Sequence, residues 1–206
     1  MTHHGLGGYL EKSPIIAILR GIEPDAVVGV AEVLLQQGIR ILEVPLNSPS
    51  PLKSIERLRG SIDGRGLCGA GTVFRAKEVK DVAAAGGQLI VSPNTDLSVI
   101  ERTKALHMAS IPGSMTPSEA FAGIHAGADA LKIFPASTLG PGYFSALKAV
   151  IPAHIGLVAT GGVSASNIAT YRAAGAMGFG IGSEIYKPGD SPEVVADKAE
   201  SLLRSM

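Results

Sequence analysis

The chain has 206 residues, long enough for one domain with a well-buried core, and 46% of them are hydrophobic, which marks a folded protein. Eighteen Lys and Arg balance eighteen Asp and Glu, so no broad basic face for nucleic acid or for an anionic membrane is expected. The one cysteine, Cys68, cannot form an internal disulfide, and no stretch of about 20 apolar residues offers a membrane span.

In chain order, residues 1–13 form a Gly-rich leader that reads as flexible or helical. His3 and His4 fall in it without further ligands at suitable spacing, so they suggest a tail and not a metal site. No basic region followed by an apolar stretch of signal-peptide length stands here, and the expected location is the cytoplasm. Short apolar runs then recur to the end. The spacing predicts strands at Ile15–Leu19, Ile39–Val44, Leu67–Gly71, Gln88–Ser92, Met108–Pro112, Ala130–Phe134, Gly156–Thr160 and Gly178–Ser183. Helical stretches between them include Asp25–Gln37, Ala76–Ala85, Pro117–Ala126, Tyr143–Val150, Ser166–Ala174 and Pro192–Leu203. Glycines stop several helices, at Gly38, Gly86, Gly127 and Gly175. Glu23-Pro24, Thr116-Pro117 with Glu119, and Ser191-Pro192 with Glu193 mark helix starts.

Eight strands, each followed by a connection that can hold a helix, predict an α/β fold: a (β/α)8 TIM barrel forming a single compact domain over residues 1–206. The strands are apolar almost throughout, as expected of a parallel sheet buried on both faces. An open doubly wound sheet is the competing arrangement. Its only support is Gly178-Phe179-Gly180-Ile181-Gly182, a loose likeness to a dinucleotide turn that falls late in the chain.

Two of these runs carry a charge where a charge is costly. Lys132 lies inside Ala130-Leu131-Lys132-Ile133-Phe134-Pro135, and Glu43 lies inside Ile41-Leu42-Glu43-Val44-Pro45-Leu46. A lysine removed from water tends to lose its proton and become a nucleophile, and a nearby carboxylate can move protons. Those are the parts of a Schiff-base lyase. A structural ion pair between Glu43 and Lys132 explains the two runs equally well.

In a barrel the chemistry gathers at the C-terminal ends of the strands, and the unusual residues fall there. Arg20 and Asn47 follow the first two strands, Thr72 and Pro93 follow the third and fourth, and Phe134 follows Lys132. Thr160-Gly161-Gly162 and Gly182-Ser183 close the last two. Arg20 is either a surface arginine or a carboxylate clamp, with Thr72 adding a hydroxyl donor. Phe134 is a core residue or a wall against the imine. Gly161, Gly162 and Ser183 stand where barrels commonly hold phosphate, the glycines letting backbone N–H groups approach the anion and Ser183 adding a hydroxyl and a helix-start N–H. The other oddities have plain readings: Cys68 a small core residue, Lys148 a helix lysine reaching to water, and His107, His125 and His154 in helix or connecting positions with no ligand cluster.

Taken together, Ile16-Ala17-Ile18-Leu19-Arg20-Gly21, Leu42-Glu43-Val44-Pro45-Leu46-Asn47-Ser48, Gly69-Ala70-Gly71-Thr72-Val73, Ala130-Leu131-Lys132-Ile133-Phe134-Pro135 and Gly161-Gly162-Val163 resemble the KDPG/KDPGal aldolase family, in order from about Pro14 onward. The resemblance implies a lyase that cleaves 2-keto-3-deoxy-6-phospho sugar acids to pyruvate and glyceraldehyde 3-phosphate. It implies Lys132 as the Schiff-base lysine, Glu43 as the proton-shuttling carboxylate acting through a water, and Arg20 and Thr72 on the pyruvate end. Pro93 and Phe134 would line that pocket, and Gly161, Gly162 and Ser183 would hold the phosphate. It also implies no metal or other cofactor, and a homotrimer.

Pro45-Leu46-Asn47-Ser48 and the Ile-Leu-Arg-Gly segment look like the galactonate-type branch, whereas Thr160 departs from it, since valine is associated with that branch at this position. A glucose-type, dual-specificity or non-phosphorylated keto-acid aldolase is the alternative. More distant are a phosphate-handling isomerase or epimerase and a non-catalytic sugar-phosphate binding barrel.

Overall fold

The computed structural model describes residues 5–62 and 64–206. His3 and His4 lie outside the described residues. The strands are β1 (Ile15–Ile18), β2 (Ile41–Pro45), β3 (Leu67–Gly71), β4 (Leu89–Val91), β5 (Ala109–Ile111), β6 (Gly113–Ser114), β7 (Ala130–Ile133), β8 (Gly156–Thr160) and β9 (Gly178–Ile181). All pair in parallel in one sheet, in the order β5-β4-β3-β2-β1-β9-β8-β7-β6.

The two edges of that sheet, β5 and β6, are consecutive in the chain and separated only by Pro112. Asp129 N–H donates to Ser110 O and Lys132 N–H to Pro112 O, each at 2.9 Å, so the edges meet on β7 and the sheet closes into the expected barrel of eight runs. The fifth run, expected unbroken at Met108–Pro112, is cut because proline has no N–H to give the ladder, and it resumes beyond Pro112 as β6.

The helices are α1 (Leu6–Lys12), α2 (Val27–Gln36), α3 (Pro51–Ser61), α4 (Ala76–Ala84), α5 (Leu97–Ala105), α6 (Pro117–His125), α7 (Ala136–Lys148), α8 (Ile168–Ala173) and α9 (Pro192–Arg204). Thr116 and Glu119 form the capping box of α6, and Ser191 caps α9, as their sequences predict. The four stop glycines, Gly38, Gly86, Gly127 and Gly175, have φ of 90°, 84°, 97° and 102°, the left-handed conformation of a helix stop. Three helices differ from expectation, one of them α8, which begins at Ile168 and not at Ser166 because residues 165–167 form a turn. Helix α2 begins at Val27, after a turn over residues 24–26. Helix α7 begins at Ala136, seven residues before the expected Tyr143, as a short first piece that ends where Gly140 leaves helical geometry ahead of Pro141.

Burial divides each strand by period two. Ile15, Ala17, Leu42, Val44, Cys68, Ala70, Leu131, Ile133, Leu157 and Ala159 face the helices in one apolar cluster. Ile16, Ile41, Leu67, Leu89, Ala130 and Val158 form a second cluster in the barrel interior, closed at the N-terminal end by Leu6 and Leu10 of α1. The leader is therefore helical over Leu6–Lys12 and plugs the barrel floor. Two residues further along each strand, the interior face presents Ile18, Glu43, Gly69, Val91, Lys132, Thr160 and Gly180. The apolar floor thus leads directly to the polar mouth.

Candidate active site

Lys132 on β7 and Glu43 on β2 belong to opposite walls of the barrel, 7% and 2% exposed. Burial dominates both titrations. It pushes the Glu43 carboxyl up to about 7, against the lowering effect of Lys132 and Arg20. Burial likewise draws the Lys132 ammonium below its ordinary value; Glu43 opposes that shift and the Arg20 charge adds to it. Both groups are thus drawn toward their neutral forms. Among the described residues no ion pair joins them within 4.0 Å, and Glu43 Oε2 is buried with no hydrogen-bond partner. The structural ion pair is not formed. A buried carboxylate oxygen left unsatisfied costs about 1–3 kcal/mol or more, which points to a role beyond stability.

A cavity of ≈ 410 Å³ opens at the C-terminal ends of the strands and is lined by nine of the eleven expected site residues: Arg20, Thr72, Pro93, Lys132, Phe134, Thr160, Gly161, Gly162 and Ser183. Its size suits a small metabolite. Glu43 and Asn47 are the other two: Glu43 is buried, and Asn47 is exposed and joined to the lining residue Arg20. A larger depression of ≈ 670 Å³ lies beside α1. Two of its cations are already engaged, Arg40 with Leu35 O and Arg65 with Glu32, and no carboxylate lines it that could pair with Lys12 for acid–base work.

Arg20 is held by two neighbours. Its Nη1 donates to Asn47 Oδ1 at 2.6 Å and its Nη2 to Thr72 Oγ1 at 3.3 Å. The loops beneath are joined by Gly21 N–H donating to Ser48 Oγ at 2.9 Å. Thr72 adopts φ 59°, a left-handed conformation that is unfavourable for a β-branched residue. The fork of Arg20 is therefore aimed before any ligand arrives, the arrangement that bidentate recognition of a carboxylate needs. Phe134 is 38% exposed, and its ring centre lies 5.0 Å from Lys132 Nζ, so it is a wall of the site and not a core residue.

At Gly161 and Gly162 the chain turns with φ of 89° and 75°. No cation is present on residues 161–164 or 182–184, so an anion there would meet backbone N–H groups and hydroxyls, with the Glu184 carboxylate on the same wall opposing it. Ser183 opens a turn closed by Tyr186 N–H to Gly182 O at 3.0 Å, not the expected helix start. Sequence reasoning overlooked Phe74, Ser164 and Glu184 on the cavity wall, which carry no pattern that separates them from ordinary loop residues. It did not find that a Cβ at Gly71 would overlap Glu43 Oε2, a contact between neighbouring strands, or that Asn167 Nδ2 donates to Gly162 O within one loop.

Cys68 is buried and its thiol pushed up to about 12 by burial, which fits an inert core residue. Among the described residues no group of three or more His, Cys, Asp or Glu could hold a metal ion, and no helix is long and apolar enough to cross a membrane.

The sequence model of the KDPG and KHG aldolases matches residues 7–195. The chain belongs to the KDPG and KHG aldolase family. As a member it is a carbon–carbon lyase. A Rhizobium meliloti (strain 1021) protein named "Probable 2-dehydro-3-deoxy-6-phosphogalactonate aldolase" is 45% identical over 93% of this chain and 91% of its own length. The Escherichia coli (strain K12) 2-dehydro-3-deoxy-6-phosphogalactonate aldolase is 43% identical over 94% of this chain and 95% of its own. A solved structure described as "Native KDPGal structure" superposes with a TM-score of 0.92 at 43% identity, covering 94% of both chains. The aldolase barrel expected from the motifs is thus the fold and family of this chain.

Proposed function

We propose that this aldolase cleaves 2-dehydro-3-deoxy-6-phosphogalactonate to pyruvate and D-glyceraldehyde 3-phosphate through a Schiff base on Lys132. The observation that carries the reading is the pairing of a buried lysine, drawn toward its neutral form, with a buried carboxylate that no protein group satisfies. Neutral Lys132 Nζ attacks the C2 ketone, and loss of water leaves a protonated imine. Glu43 takes the proton of the C4 hydroxyl, directly or through a water. The C3–C4 bond electrons pass into the iminium, giving an enamine and releasing glyceraldehyde 3-phosphate. Glu43 returns the proton to C3, and water hydrolyses the imine to pyruvate and free Lys132. In a poorly hydrated mouth the carboxylate also offsets the iminium charge.

Arg20 and Thr72 hold the substrate carboxylate, with Asn47 behind Arg20. Pro93 and Phe134 enclose the pyruvate end, and Gly161, Gly162 and Ser183 take the phosphate. No step in this scheme calls for a metal. The chain works in the cytoplasm as a homotrimer, a reading taken from the family resemblance and the chain's composition.

The substrate assignment rests on the two galactonate-type relatives and on the Pro45-Leu46-Asn47-Ser48 segment. Thr160 favours a second reading, activity on both C4 epimers. It is a buried residue on the interior face of β8 and its side chain borders the same cavity as Lys132, where a hydroxyl could serve either configuration at C4. Borohydride reduction in the presence of pyruvate, followed by peptide mapping, tests the imine: a reduced pyruvyl adduct is expected on Lys132, and its absence removes the mechanism. Comparing kcat/KM for the two epimers then decides between the strict and the relaxed reading.

A further inference from the structure

The geometry points to Asn167 as the residue that sets the anion cup of this site, by turning the peptide planes after Gly161 and Gly162 so that their N–H groups face the cavity. The inference rests on the assignment of the substrate phosphate to the Gly161–Ser183 end. Asn167 stands at the start of α8 but makes no side-chain bond to that helix. Its side chain reaches back along the loop instead. Nδ2 donates to Gly162 O at 2.8 Å, and Oδ1 accepts from Ser164 N–H at 2.9 Å. One glycine earlier, Ser137 N–H at the start of α7 donates to Gly161 O at 3.0 Å.

In a trans peptide the carbonyl and the following N–H point to opposite sides of the chain. Fixing Gly161 O toward Ser137 turns the N–H of Gly162 away from Ser137, and fixing Gly162 O toward Asn167 turns the N–H of Val163 away from Asn167. Ser137 and Asn167 do not line the cavity, whereas Gly161, Gly162, Val163 and Ser164 do. Among the described residues the N–H groups of Gly162, Val163 and Ser183 donate to no protein acceptor. They are left for a ligand. The cup holds no cation of its own and Glu184 adjoins it on the cavity wall, so its affinity depends on how well those dipoles are aimed. Position 162 also cannot carry a side chain, since its φ is 75° and a Cβ there would come 2.7 Å from Ser137 Oγ. Asn167 never touches the phosphate; it acts through the backbone.

The test uses Asn167→Ala and Asn167→Asp. The aspartate keeps the acceptor for Ser164 N–H, loses the donor to Gly162 O and adds a negative charge. KM for the phosphorylated substrate is expected to rise about tenfold in Asn167→Ala and further in Asn167→Asp, the cost of one misaimed donor set. Binding of inorganic phosphate, titrated directly by phosphorus NMR, should weaken by the same factor. The kcat/KM for the non-phosphorylated 2-keto-3-deoxy sugar acid and the yield of the pyruvate adduct should stay within twofold. An equal fall for both substrates would make Asn167 merely structural, and unchanged phosphate affinity in both variants would remove it from the cup. If native protein binds no phosphate, the cup itself is wrong. If it traps no pyruvate, the aldolase mechanism falls, yet a phosphate affinity lowered in Asn167→Ala would still uphold Asn167 as the residue that aims the cup.

Discussion

Gly71 is the space in which the Glu43 carboxylate lies. A Cβ placed at position 71 would overlap Glu43 Oε2 and crowd its Cδ and Oε1. Gly71 does not have positive φ, so the requirement is for room and not for a glycine conformation. Gly71→Ala is expected to displace the carboxylate and lower kcat by on the order of 10²-fold, the usual worth of a positioned acid–base group. Imine trapping by pyruvate should persist, because Lys132 stands on the opposite wall. Loss of the adduct together with turnover would show that the substitution collapses the barrel mouth as a whole.

Lys132, the proposed Schiff-base lysine, carries a cost to the fold. An ammonium held 7% exposed with no carboxylate in contact loses hydration that the face of Phe134, 5.0 Å away, restores only in part. Lys132→Met, which keeps the length and removes the charge, should abolish the borohydride adduct and reduce cleavage to background. It should also raise stability by about 1–3 kcal/mol in urea unfolding near neutral pH. A destabilised variant would mean that the ammonium is satisfied in the folded protein.

Glu43 gives a stability effect whose sign is fixed by its shift. Its folded value, about 7, lies above the ordinary value of 4.5. A carboxyl raised in this way favours the folded state below about pH 4.5, and that advantage is lost as pH rises through 7. Glu43→Gln should therefore differ little from native protein at pH 4.5 and become the more stable of the two at pH 8.5, by up to about 3 kcal/mol. The same group should give kcat/KM an acid limb near pH 7, since the proposed mechanism uses the carboxylate as base. A constant stability difference across that range would show that Glu43 is not buried as a titrating group.

How far the chain could be read in advance depended on the distance over which each feature is decided. Leu67–Gly71 and Gly156–Thr160 were legible to the residue, because apolar runs bounded by turns are local. Glu43 and Lys132 stood out for the same reason: a charge within such a run is conspicuous. The break at Pro112 was visible as a proline, but that the strand resumes beyond it depends on β7, which supplies the pairing. The glycines of the leader left it open between flexible and helical; Leu6 and Leu10 gain an apolar face only once Ile16, Ile41 and Val158 are gathered beneath them. Gly71 and Asn167 act on partners in other elements or across a loop, so no local pattern announces them.

Arg20 and Thr72 supply a last separation of function from stability. Thr72 holds a φ of 59°, which costs a β-branched side chain on the order of 1–2 kcal/mol, while its Oγ1 accepts from Arg20 Nη2. Strain retained at a cavity wall is reasonable if the hydroxyl is needed where it stands. In Thr72→Gly the backbone relaxes without cost, but Arg20 keeps only Asn47 as a guide and the substrate carboxylate loses a donor. The melting temperature should be maintained or raised, and KM should increase about tenfold, with kcat changed much less. Arg20→Lys should raise KM at least as much, because an ammonium cannot reproduce a fork that spans two neighbours. If Thr72→Gly instead lowers stability by more than about 1 kcal/mol with KM unchanged, the threonine is there for packing, and the carboxylate end of the substrate has to be sought elsewhere in the cavity.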